Sequence, residues 1–263
     1  MTMAKVIAIT GASAGIGRAV ALRLARDGAK IGICARRRER LEVVAGEIER
    51  EGGEALPVVA DVSSETDVAQ FVRRTVERFG RLDVMLANAG FGIYGALDAM
   101  APAQIRELFE VNVMGTFNAA RSAMHVFRDQ GEGHLIVVSS IVGQRGIPYM
   151  GAYSATKFAQ VGLAESLRAE VEGSAIHVSV VFPVSTRTEF HDVMQRLSGL
   201  VTRAPGPRQS ADVVAEAVAR AVARPRPEVY PYGPARGLNV LNALAPGLCD
   251  RLVKRWGRKP VHD

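Results

Sequence analysis

The runs Val6-Ile7-Ala8-Ile9 and Leu135-Ile136-Val137-Val138 are apolar at every position. A strand with one face in water alternates apolar and polar residues, so an unbroken apolar run is buried on both faces and requires helices above and below its sheet. Comparable β-branched runs lie at Lys5–Thr10, Lys30–Cys34, Leu56–Ala60, Leu82–Ala87, His134–Ser139 and Ile176–Phe182, with a last short one at Glu228–Tyr230. Stretches of helical period separate them. The alternation predicts an α/β fold, a doubly wound parallel sheet of about seven strands with helices on both faces.

Within 263 residues, 48% of them hydrophobic, there is enough apolar material for a sizeable core without disulfides or metals. No repeat or low-complexity linker divides residues 1–182, which predicts a single domain, and the pattern loosens only after Pro183, at Pro205-Gly206-Pro207 and Pro225-Arg226-Pro227. The net charge of +6 favours anionic ligands but is spread too evenly to predict nucleic-acid binding. Cys34 and Cys249 make no disulfide framework; Cys34, inside an apolar run, reads as a buried thiol in a reducing, cytoplasmic setting. Neither a leader at the N-terminus nor an apolar stretch of about 18–20 residues is legible, which predicts a soluble or at most peripheral protein.

The first strand ends in Thr10-Gly11-Ala12-Ser13-Ala14-Gly15-Ile16-Gly17, and a helical stretch follows. Glycines at a strand-to-helix turn let the backbone approach a pyrophosphate, while the helix offers free N–H groups and its positive dipole end. Gly11, Ser13, Ala14, Gly15, Ile16 and Gly17 are therefore the expected phosphate cradle, although the Gly-x-x-x-Gly-x-Gly spacing departs from the Gly-x-Gly-x-x-Gly fingerprint. After the second strand an NAD site would carry a carboxylate for the ribose hydroxyls, whereas this chain reads Cys34-Ala35-Arg36-Arg37-Arg38. A guanidinium grips a 2′-phosphate that a carboxylate repels, so NADP(H) is the expected cofactor, read by Arg36 first and Arg37 second.

With these residues the chain resembles the short-chain dehydrogenases/reductases from Lys5 to about Thr188. The glycine motif looks like the family's cofactor loop, Asp61-Val62 like its adenine-contacting pair, and Asn88-Ala89-Gly90 like its motif on the fourth strand. Asn112, Ser140, Tyr153 and Lys157 fall in the order and spacing of its catalytic tetrad, and Ser140 rather than Ser139 stands at the family's usual 13-residue interval before Tyr153. The resemblance implies a Rossmann-like fold, a homodimer or homotetramer, and for Asn112 the task of holding a water that relays protons to Lys157.

The chemistry also follows from the residues. Tyr153 and Lys157 are four apart on a helical stretch and so project from one face. An adjacent ammonium stabilises a phenolate, which predicts a lowered Tyr153 pKa. Tyr153 then exchanges a proton with the oxygen of a carbonyl or secondary alcohol during hydride transfer, and Ser140 donates to the same oxygen. Lys157 is also expected to hold the nicotinamide ribose. One departure is Pro183-Val184, where the family commonly has Pro-Gly; Pro183, Thr186 by its backbone and Thr188 by its hydroxyl remain expected cofactor contacts beside a narrowed pocket.

Phe91–Tyr94, Ile141–Met150 and a helix near Glu189–Val201, carrying Phe190, Met194 and Leu197 at helical spacing, are the expected substrate walls. They favour an apolar ketone, aldehyde or secondary alcohol. Residues 1–235 are read as the dinucleotide-binding catalytic domain with a lid near 185–205, and 236–263 as its apolar and basic C-terminal extension. In that extension Leu241, Leu244, Leu248, Leu252 and Trp256 adjoin Arg251, Lys254, Arg255, Arg258 and Lys259. A neighbouring subunit or the cleft suits this segment better than an anionic membrane surface. The expected function is that of an NADP(H)-dependent oxidoreductase; the alternatives are a 3-oxoacyl or hydroxysteroid reductase and a non-catalytic nucleotide-sensing module.

Overall fold

A computed structural model describes residues 4–199 and 208–256. Pro205-Gly206-Pro207, Val201, Arg258 and Lys259 lie outside the described residues, as do the side chains of Arg255 and Trp256. The first half runs β1 (Val6–Thr10), α1 (Gly15–Ala25), β2 (Lys30–Ala35), α2 (Arg38–Arg50), β3 (Glu54–Val59), α3 (Glu65–Phe79), β4 (Val84–Ala87). The second runs α4 (Pro102–Phe109), α5 (Gly115–Gln130), β5 (Glu132–Val138), α6 (Gly151–Glu170), β6 (Ala175–Val181). There follow the two-residue strand β7 (Thr186–Arg187), α7 (Phe190–Ser198), β8 (Gln209–Ser210), α8 (Ala211–Ala223), β9 (Glu228–Val229), α9 (Ala235–Leu244) and α10 (Pro246–Trp256).

The main sheet has seven parallel strands in the order β3-β2-β1-β4-β5-β6-β9. Both faces are covered. Ile7 and Ile9 pack with α1, α2 and α8 on one side, while Ala8, Met85, Leu135 and Val137 pack with Phe71 of α3 and Phe127 of α5 on the other. Strand order reverses between β1 and β4, and ligands of open α/β sheets bind at the carboxyl ends of the strands beside such a reversal.

The strands of the main sheet each begin or end one or two residues from the sequence reading, and at β3 and β4 the local reason is visible. β3 starts at Glu54 and carries Pro57 inside it; β3 is the edge strand, paired only with β2, so an imino acid without an N–H is tolerated there. β4 starts at Val84 because both backbone groups of Leu82 bond to the Gln130 amide, at 2.9 and 2.8 Å, and the Asp83 carboxylate accepts from Val6 N–H at 2.7 Å. The short β7–β8 pair was not legible because two residues carry no periodicity. In the C-terminal extension the buried face of α10 is Cys249 and Val253. Leu244 and Leu248 of the expected stripe point outward, since Pro246 and Gly247 break the helix and reset its register.

His134 on β5 is buried against Ser179, whose hydroxyl donates to Arg226 O, so the ring bonds through Nε2–H to Ser179 Oγ at 2.7 Å in its neutral form. Burial, with His177 and Lys5 nearby, pushes its pKa down to about 3. An unfolded histidine titrates near 6.5, so the stability His134 contributes is present above that pH and is lost as pH falls toward 3. Urea melts at pH 7 and pH 4 are expected to show a loss of about 3 kcal/mol in the wild type that His134→Leu lacks. Equal acid sensitivity in the two proteins would remove His134 from this role.

Candidate active site

At the carboxyl ends of the strands lies a cleft of about 870 Å³, lined by Gly11, Ser13–Ile16, Arg36, Arg37, Asp61, Val62, Asn88–Phe91, Ser140, Tyr153, Lys157 and the 183–190 segment. Gly11 has φ of 65°, and a Cβ there would lie 2.7 Å from Ala89 Cα; a Cβ on Gly17 would lie 2.5 Å from Gly11 O. The turn is therefore built at a spacing only glycine permits. Asn88 braces it by donating to Thr10 O and Gly11 O at 2.9 and 3.2 Å, and Thr10 Oγ1 accepts from the N–H groups of Asn88 and Ala89. Thr188 lies across the opening, 3.3 Å from where a Gly15 Cβ would stand. α1 begins at Gly15 with its N-terminus at this cradle and without a side-chain cap.

Arg36 and Arg37 are exposed at the cleft's rim beyond β2. Arg37 donates to Ser13 Oγ at 3.4 Å and approaches the Glu189 carboxylate at 3.9 Å, while Arg40 holds Glu189 at 2.6 Å. Arg36 sits on the Asp61 side. Burial opposes the Asp61 carboxylate, but two bonds from Ser63 and the Arg36 charge leave it below its ordinary range. Of the 183–188 loop, Pro183 O accepts from Ile141 N–H at 3.0 Å, and the Thr186 hydroxyl is turned inward to Val184 O at 2.9 Å, leaving only its backbone for a ligand. Among the described residues Tyr149 is the only non-glycine with positive φ, so Val184 needs no left-handed backbone and the Pro-Val departure leaves the loop unstrained.

At the floor of the cleft the structure brings Asn112, Ser140, Tyr153 and Lys157 together. Ser139 and Ser140 have separate jobs: Ser139 is buried and donates to Lys157 O at 3.0 Å, and Ser140 faces the cleft, its hydroxyl donating to Pro183 O and accepting from Val142 N–H, each at 3.4 Å. Lys157 Nζ donates to Val138 O at 3.0 Å and to Gln160 Oε1 at 2.9 Å, and lies 5.6 Å from the Tyr153 ring centroid. Two of its three N–H donors are used. Burial pushes Lys157 down to about 7. Burial likewise pushes Tyr153 up, with the Ser140 hydroxyl nearby opposing it. This corrects the expected lowering of the phenol pKa: desolvation of both groups outweighs their mutual attraction, and the protein alone holds a neutral phenol, suited to giving a proton away.

Asn112 is reached through an unexpected feature. Between α4 and α5 the helix widens into a π turn over Glu110–Met114, which takes Asn112 out of the ordinary bonding ladder. Its amide bonds both backbone groups of Phe91 and donates to Thr156 Oγ1, so the side chain holds the loop after β4 in place. Its main-chain oxygen accepts from Thr116 Oγ1 and from Gln160 Nε2, each at 2.8 Å. Where the resemblance implies a water, that oxygen is met by two side-chain donors of the protein itself.

The sequence pattern of the family described as short chain dehydrogenase matches residues 5–196. The chain belongs to this family. An uncharacterized oxidoreductase of Listeria monocytogenes is 37% identical over 187 residues, 70% of this chain and 75% of that protein. A Bacillus subtilis relative, also an uncharacterized oxidoreductase, is 32% identical over 95% of this chain and 72% of its own length. Among solved structures, a Burkholderia phymatum short chain dehydrogenase/reductase in complex with NAD superposes with a TM-score of 0.84 at 26% identity, covering 93% of this chain and 95% of that one. An alcohol dehydrogenase from Thermococcus sibiricus complexed with 5-hydroxy-NADP gives 0.77 at 32% identity, covering 87% and 96%. The short-chain dehydrogenase fold and an oxidoreductase acting on CH–OH or carbonyl groups are thereby shown.

Beyond these four residues, much of the cleft wall is apolar. Phe190 packs on Tyr153 with ring centroids 5.5 Å apart, and Met194 is buried beneath it. Leu197, expected to share their stripe, is largely exposed at the cleft mouth. Tyr94, Ile141, Val142, Ile147 and Met150 supply the opposite wall, and Tyr232 and Leu238 a third side. Arg145 bonds Asn242 at 2.8 Å and pairs with Asp250, tying that wall to α9 and α10. Sequence reasoning left His191 without a role; its Nε2 stands 3.1 Å from Ser185 Oγ on the cleft wall. No metal-ligand cluster of His, Cys, Asp and Glu occurs among the described residues, and no described helix is long and apolar enough to cross a membrane.

Proposed function

We propose that the protein is an NADP(H)-dependent oxidoreductase that interconverts an apolar ketone or aldehyde and its alcohol. The observation that carries this reading is the single cleft in which Tyr153 and Ser140 face an apolar chamber at one end and the glycine cradle opens beside two exposed arginines at the other. The residues present fit a dinucleotide. Gly11 and Gly17 let the turn close on the protein's own backbone, the uncapped N-terminus of α1 leaves its free N–H groups at the cleft, and Lys157 keeps one donor for a ribose hydroxyl. When bound, the nicotinamide would supply or accept the hydride.

The chain's own groups do the rest. Ser140 orients the substrate oxygen, and Tyr153 Oη gives it a proton as negative charge develops there. Lys157 restores charge balance one helical turn below, and its titration near pH 7 lets it gain and lose a proton during turnover. The walls formed by Phe190, Met194, Ile141 and Ile147 exclude water and favour aliphatic or aromatic substituents over hydroxylated ones. Stopped-flow mixing with NADPH and ketones of increasing chain length tests the proposal; absence of NADPH oxidation with every ketone would overturn it. The 3-oxoacyl reading has a specific support, since 3-oxoacyl-[acyl-carrier-protein] reductases of Staphylococcus aureus are 34% identical over 70% of this chain. Activity that requires a carrier-bound acyl group and falls with salt would favour it.

Choice of NADP(H) rests on the arginines after β2. Arg36→Asp is expected to lower NADPH affinity at least tenfold, and to improve NADH relative to it, because a carboxylate at the rim repels the 2′-phosphate. Fluorescence titration with both nucleotides measures the ratio. An unchanged ratio would assign the phosphate to Arg37 or Arg40. Self-association into a homodimer or homotetramer is part of the same proposal, and light scattering of the full chain reads it.

A further inference from the structure

We infer that Gln160 is a positioning residue for the proton path, its amide joining the Lys157 ammonium directly to the main-chain oxygen of Asn112 in the π turn. Gln160 is fully buried on α6, one turn beyond Lys157. Its Oε1 accepts from Lys157 Nζ at 2.9 Å, and its Nε2 donates to Asn112 O at 2.8 Å and to Thr116 Oγ1 at 2.7 Å. The orientation of the amide is fixed by its partners. An ammonium has no acceptor and so must meet the oxygen, and the carbonyl of Asn112 must meet the NH₂. Both amide N–H donors are used, and the oxygen accepts from the ammonium.

The arrangement has a purpose that packing alone does not explain. A buried glutamine is costly to desolvate unless its amide is bonded, which an apolar side chain of similar size would not require. What the amide adds is an acceptor that favours the charged form of Lys157 and a fixed direction for its remaining N–H. The groups facing Nζ are the Val138 carbonyl from β5, the Gln160 amide and Tyr153 ring from α6, and the Gly90–Asn112 contact from the loop and π turn. None of the described carboxylates pairs with it, so the Gln160 amide oxygen and the Val138 carbonyl are the two acceptors that meet its charge, and of these only Gln160 is a side chain.

The inference rests on the oxidoreductase reading for what Lys157 does, but the contact is testable without turnover. In the cofactor-free full chain carrying labelled lysine, the Lys157 resonance, assigned by its loss in Lys157→Arg, is titrated by NMR. Gln160→Met, of similar length and without hydrogen bonds, is expected to move the midpoint down by at least half a pH unit. Gln160→Glu keeps an acceptor and adds charge, and is expected to move it up. In alcohol oxidation with NADP⁺, the Met variant's rising pH limb is expected to shift to higher pH, because a less charged Lys157 stabilises the phenolate less. Gln160→Glu also serves if the Met variant does not fold. If either variant titrates like the wild type, Gln160 only packs and the inference is overturned. Shifted titration in a protein that turns over no carbonyl would sink the proposed function and leave the Gln160 contact standing.

Discussion

Tyr153→Phe is expected to bind NADPH within about twofold of the wild type and to lose roughly 10²–10⁴-fold in kcat, the usual range for a lost acid–base group. The substitution removes one oxygen from a buried ring whose packing against Phe190 it leaves intact. The fold and the cradle should be untouched. What disappears is the phenol proton proposed to reach a substrate oxygen held by Ser140, so the barrier rises while the affinity for nucleotide does not fall. Single-turnover stopped-flow separates the two quantities. Turnover at the wild-type rate would show that the proton comes from elsewhere, and both the role of Lys157 and that of Gln160 would lose their object.

Gly11→Val attacks the opposite end of the cleft. Its φ of 65° is a region that β-branched residues avoid, and a Cβ would stand 2.7 Å from the backbone of Ala89. Strain and overpacking together amount to about 2–6 kcal/mol, part taken from stability and part from nucleotide binding. A Tm lowered by roughly 5–15 °C and NADPH affinity lowered at least 100-fold are expected, read by thermal melts and fluorescence titration. Retention of wild-type NADPH affinity in the folded variant would mean that the pyrophosphate does not lie on this turn.

The sheet was legible because burial on both faces leaves a one-dimensional trace: consecutive apolar residues in β1 and β5 need no tertiary information to be recognised. Strand ends were less legible where a distant side chain completes them, as the Gln130 amide does for Leu82. At the site, the glycine loop, Tyr153 and Lys157 are local in sequence, and their grouping was readable from spacing. The Gln160 bridge joins residues 44 and 48 apart, the π turn is a backbone anomaly without compositional mark, and the Ser185–His191 contact spans six residues of irregular chain, so no periodicity encodes them. The acidity of Tyr153 was misjudged for a related reason. Charge proximity can be read from i and i+4, whereas the depth at which both groups are buried cannot.

The widened turn at Glu110–Met114 holds one residue more than a regular helix would need. Deleting that residue would restore an unbroken ladder from α4 into α5 and so a locally more regular backbone, but it would also rotate everything before it by about 100° relative to α5. Asn112 could then no longer clasp the loop after β4 and present its carbonyl to α6 at once. Chains of this kind therefore carry an irregularity that helix propensity alone would erase, and a search for stabilising deletions in this segment is expected to select well-folded proteins without activity.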